Sequence, residues 1–102
     1  MKHAFIMAAI LLSTSAAQAG EPTKDELCAG WGRLAAKVME LRQMDAPMSD
    51  LMKDADNKEI AKAQRAVIVA AYNEPSYMSK DGKRKAVDTF RNKIELDCYN
   101  AN

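Results

Sequence analysis

Cys28 and Cys98 are the only two cysteines of this chain, and about 70 residues separate them. Two cysteines allow one internal pairing, so a chain that meets an oxidising compartment has a single cross-link available to it. Closing a loop of that length stabilises a fold by roughly 4 kcal/mol on the chain-entropy account. That is a large share of the stability of a small domain. The pair is distant in sequence and forms no CxxC, so a structural bridge is expected rather than a redox motif or a metal site.

The start of the chain supplies the oxidising compartment. Met1-Lys2-His3 is short and basic, Ala4 to Leu12 is apolar, and Ser13 to Ala19 is polar with small residues. This order is that of a cleavable secretory signal, residues 1–19. Ala17-Gln18-Ala19 fits the A-x-A pattern and puts the cut between Ala19 and Gly20. The apolar run is far shorter than the roughly 20 residues that span a bilayer. No transmembrane segment is expected after cleavage. A periplasmic location follows, with secretion as the alternative.

Residues 20–102 are then expected to form one domain, near the small end of what a single core can support. With Lys2 removed, 14 of the 15 Lys and Arg residues stand against 14 Asp and Glu, a net charge of zero. Global charge therefore gives no argument for nucleic acid or a membrane surface.

Helical periodicity runs through the domain. Thr23 and Glu26 form a capping-box pattern ahead of Leu27, Trp31, Leu34, Val38 and Leu41, an apolar stripe of about four turns. Gly30 and Gly32 flank the tryptophan and offer a close approach to another backbone. Asp45-Ala46-Pro47 breaks this helix, and Ser49 is the expected cap of a short second one. Asp56 or Asn57 caps a third, with Glu59 near its start and Ile60, Ala63, Val67 and Ala71 at helical spacing. Its second half, Ala66 to Tyr72, is apolar almost all round and reads as the most buried element. The fourth begins between Ser79 and Lys83, with Val87, Phe90, Ile94 and Cys98 on one face. The expected fold is all-α: a small four-helix domain, its second helix short, cross-linked by a disulfide between the first and last helices.

Catalytic chemistry is sparse. The one histidine, His3, lies in the signal. The exported part thus lacks an imidazole for acid-base work, a Ser-His or Cys-His pair and a histidine metal ligand. There is no Gly-rich phosphate loop. The carboxylates alternate with Lys and Arg as on solvated helix faces. No enzyme activity, cofactor or catalytic residue is expected.

Three segments invite a binding role. Lys80, Lys83, Arg84 and Lys85 cluster at a helix start, where the macrodipole disfavours cations, and so suggest an acidic partner. Tyr77, in the preceding connection, is the aromatic best placed for exposure there. Met44, Met48 and Met52 are four apart and are the residues of a weaker alternative, a thioether Cu(I) site. Filling of irregular gaps is the ordinary use of such methionines, and Pro47 interrupts their register.

Cys28, the segment Pro47-Met48-Ser49-Asp50-Leu51-Met52-Lys53, Ala71-Tyr72 with Pro75, Phe90-Arg91-Asn92 and Cys98 together form an ordered signature. In it the chain resembles a group of short, signal-bearing hypothetical proteins of phages and proteobacteria. The resemblance covers most of residues 20–102 and implies no activity and no catalytic residue. In architecture alone the chain is also similar to small periplasmic acid-stress chaperones. The expected function is a non-enzymatic periplasmic protein-interaction module, monomeric or weakly associating, that binds or inhibits another envelope protein. An acid-stress chaperone and a Cu(I) carrier are the alternatives.

Overall fold

The computed structural model describes residues 20–55 and 60–101. The expected signal, residues 1–19, and the expected cap of the third helix at Asp56 or Asn57 lie outside them. Among the described residues there are four helices and no strand: α1 Lys24–Gln43, α2 Met48–Asp54, α3 Ala61–Tyr72 and α4 Lys80–Asn100. No helix there is long and apolar enough to cross a membrane.

Local chemistry sets the helix ends. Thr23 Oγ1 accepts from the Glu26 amide at 3.1 Å, and Glu26 Oε1 accepts from the Thr23 amide at 3.1 Å. Two orphan donors are thus satisfied reciprocally. At the far end of α1, Asp45 takes φ 60°, the left-handed conformation that usually calls for glycine. The amides of Asp45 and Ala46 then reach back to the carbonyls of Arg42 and Leu41, both at 3.0 Å, a Schellman closure. Ser79 caps α4, its Oγ accepting from the Gly82 amide at 2.9 Å. The short α2 departs from expectation: Pro47, not Ser49, stands at its N-cap, and no side chain caps it. Proline there has φ −61°, already set for a helix entry, and offers no amide that would need a partner.

α1 is the central element. It packs along α4 over much of its length and also against α3, while α2 rests on α3. The Cys28–Cys98 disulfide joins the beginning of α1 to the end of α4, with 5.5 Å between the Cα atoms. These two helices are therefore antiparallel. Ala35, Val38, Met39, Leu51, Ala55, Val67, Ile68, Ala71, Phe90 and Ile94 form one continuous core.

The buried face of α1 is turned one position from the expected stripe. It runs through Cys28, Gly32, Ala35, Met39 and Gln43, with Val38 beside it, whereas Leu27 is half exposed and Trp31, Leu34 and Leu41 only partly covered. The cause is steric. α4 lies so close to α1 that a Cβ at Gly32 would collide with the Glu95 side chain. Small residues and the cysteine therefore take the closest line of contact, and the large apolar residues flank it. Gly30 has no such role, since a Cβ there would meet nothing nearer than Arg33 Nη2 at 3.6 Å.

α3 is also less buried than its composition suggests. Val67, Ile68 and Ala71 are inside, but Val69 is 42% exposed and Ala63 and Ala66 face solvent. Both α3 and α4 pack on α1, yet they barely touch each other.

Candidate binding groove

That arrangement leaves a trough between α3 and α4 with α1 as its floor. The cavity is about 760 Å³. Leu27 and Trp31 come from α1, one helical turn apart. Ala63, Ala66, Val67 and Ala70 form the α3 wall, and Ile94 and Cys98 the α4 wall. The walls are thus apolar, and the polar side chains Thr23, Lys24, Lys93 and Asp97 stand around them. A site of this size, mostly apolar with a few polar groups, is of the kind that takes small ligands. Part of the apolar surface of α3, expected to be core, is the wall of this groove.

The end of the groove near the disulfide is tied by two side chains. Lys24 Nζ donates to the Ala101 carbonyl at 3.1 Å, a cation on the last turn of α4. Tyr99 donates its hydroxyl to Asp25 Oδ1 at 2.8 Å. That hydrogen bond is the main reason the Tyr99 phenol is pushed above its ordinary range.

The opposite end of the domain holds the expected partner-binding residues. Gln43, 3% exposed, is the buried polar side chain there. Its Nε2 donates to the Pro75 carbonyl and its Oε1 accepts from the Tyr77 amide, both at 2.9 Å. The amide fork therefore fastens the α3–α4 connection to the end of α1. Arg42 adds two bonds to the Glu74 carbonyl, at 3.0 and 3.2 Å, and its guanidinium lies over the Tyr72 ring. Tyr72 donates to the Ala46 carbonyl. Burial pushes its phenol up, with Arg42 pulling the other way.

Lys83 belongs to this network. Its Nζ donates to the Gln43 carbonyl at 2.7 Å. Because α1 and α4 are antiparallel, the first turn of α4 sits beside the C-terminal end of α1, where a cation is favoured. Lys83 is thus disfavoured by the dipole of its own helix but favoured by that of α1. Lys80, Arg84 and Lys85 stay exposed, with Arg84 3.5 Å from Asp81 in a solvated pair. Tyr77 is 42% exposed, held by its backbone, with its Cβ side against Gly82. It flanks a second hollow of about 360 Å³, together with Phe90, Lys85, Lys93 and Glu74.

The three methionines have different surroundings. Met44 is 75% exposed at the end of α1, Met48 is partly exposed, and Met52 is packed against the core. The fully buried methionine is Met39, whose sulfur accepts from Gln43. Among the described residues, no three His, Cys, Asp or Glu side chains come together as a metal site. No family model, no curated protein and no solved structure matches the chain.

Proposed function

We propose that the protein is an exported, non-enzymatic binding module of the bacterial periplasm, released by cleavage at Ala19–Gly20, and that it binds through the groove between α3 and α4. The observation that supports this reading is the open apolar trough of about 760 Å³ over Leu27 and Trp31. Burying such surface is favourable for any ligand that can fill it, at about 25 cal/mol per Å². The disulfide at the groove's edge holds α1 and α4 in register, so the floor and one wall are preorganised.

Trp31 is the only tryptophan and lies in the floor, so it reports on the site directly. Titration with N-phenylnaphthylamine should transfer energy from Trp31 to the bound probe. Ala66→Arg places a charge in the wall at a solvent-facing helical position and should abolish the signal with helicity unchanged. Equal transfer in the variant would remove the groove as the site. Mass spectrometry of the exported protein should show a chain beginning at Gly20 with no free thiol.

A protein partner at the α3–α4 corner is the second reading. It is favoured by the exposure of Lys80, Arg84 and Lys85 beside Tyr77. Its mark would be salt-sensitive capture of an acidic envelope protein, lost on replacing these three cations by Gln.

A further inference from the structure

We infer that the groove takes a single-chain anionic amphiphile, with its alkyl chain along the trough and its acid group at Lys93. The inference rests on the groove being the binding surface and names its ligand.

The walls determine the body of the ligand. Ala63, Ala66 and Ala70 project little, so the α3 side is a smooth apolar slope rather than a row of side-chain sockets. Across from them Trp31 and Ile94 present flat and branched apolar surface. No carboxylate, ammonium or amide side chain comes from the α3 wall or from the floor at Leu27 and Trp31. A ligand polar along its length would lose its hydration there without compensation. A methylene chain loses nothing. Along α4 the trough runs from Lys93 to Ala101, eight residues, or about 12 Å at 1.5 Å per residue.

The rim determines the head. Lys24 is occupied by the Ala101 carbonyl. Lys93 has no hydrogen bond or ion pair among the described residues, although Asp97 is one turn away on the same helix. Lys93 also borders the second hollow, where Lys85 contributes another ammonium. Lys93 thus gives an anion complementary charge at one mouth of the trough, while Lys85 lines only the neighbouring hollow. Glu74 lines that hollow as well, and Asp97 lies further along the trough, beside the path of the chain. An acid head therefore has one favoured position, and the chain direction follows from it.

The test uses the mature protein, Trp31 emission and displacement of N-phenylnaphthylamine, with all amphiphiles below their micellar range. Decanoate and dodecanoate should displace the probe. Affinity should rise about fourfold per methylene, the factor equivalent to about 0.8 kcal/mol for each buried CH₂. Dodecanoate should bind better than dodecanol. Lys93→Gln should weaken dodecanoate two- to fivefold, the range for a solvent-exposed charge pair, and leave dodecanol unchanged. If dodecanol matches dodecanoate, or Lys93→Gln has no effect, the anionic head is refuted while the groove reading stands. The ligand class also fails if an amphipathic helical peptide displaces the probe and dodecanoate does not. If the probe itself does not bind, both readings fall.

Discussion

Gln43→Met should cost the domain about 2 kcal/mol. Methionine keeps the length of the side chain and removes only its polar atoms. The wild-type amide makes two bonds to the main chain, from Nε2 to the Pro75 carbonyl and to Oε1 from the Tyr77 amide. Only one orientation of the amide satisfies both. Each such bond contributes about 1 kcal/mol net, which gives the figure of about 2. The two main-chain groups are only part-buried, so water can reach them in the variant and the full desolvation penalty is avoided. For a domain of this size the loss corresponds to a fall in Tm of roughly 8–16 °C. Urea unfolding followed by far-ultraviolet circular dichroism, with the disulfide intact, measures it as a lower midpoint at unchanged slope. Glu40→Met, at an exposed position on the same helix, is the control and should stay within about 0.5 kcal/mol. If Gln43→Met also stays within about 0.5 kcal/mol of wild type, the amide does not hold the connection and the reasoning fails.

Other perturbations separate residues that look alike in sequence. Lys83→Gln should destabilise by about 1–2 kcal/mol through loss of its bond to the end of α1, while Lys80→Gln and Lys85→Gln stay within about 0.5; equal effects in urea melts would refute the distinction. Gly30→Ala should stabilise by about 0.5–1 kcal/mol, because the helix gains propensity and the space is open, and Gly32→Ala should show no such gain; a matching rise in midpoint would mean that α4 is not that close. The Tyr72 phenol is raised above 10.0 in the fold, so its contribution is present below pH 10 and lost as pH rises through the folded value. Unfolding free energy should therefore fall in that alkaline window, and a Tyr72→Phe variant with an equally steep fall would exclude this residue as the cause.

What could be read from the sequence was local or covalent. The capping box of Thr23 and Glu26 is complete within four residues, and the apolar spacing of α4 around Phe90 and Ile94 follows directly from helix geometry. The disulfide was legible because only one pairing exists. The face of α1 was misjudged by one position because hydropathy gives weight to Leu27, Trp31 and Leu34. Close contact instead selects Gly32 and Ala35, which carry little hydropathy. Gln43 was invisible for a related reason: a polar side chain on a helix reads as solvated until its main-chain partners, 32 and 34 residues away, are in place. The role of Lys83 depended on which helix end lies beside it, a fact of tertiary direction. The groove had no sequence signal at all, since it arises where α3 and α4 do not meet.

The clasp between Cys28 and Cys98 also decides how the molecule carries force. Tension applied through the segments outside the two cysteines passes from one backbone to the other across a single covalent bond. Everything between them, including the core and the Gln43 fastening, is shielded from the load. Pulled from outside the cysteines in an oxidising medium, the domain would behave as a short inextensible link. Once reduced, the enclosed stretch is 70 residues in sequence separation and can pay out roughly 230–250 Å of chain before it is taut. The same closure keeps the two pieces of a chain cut once in the α3–α4 connection from parting. A protease would therefore have to cut the enclosed chain twice to release a fragment.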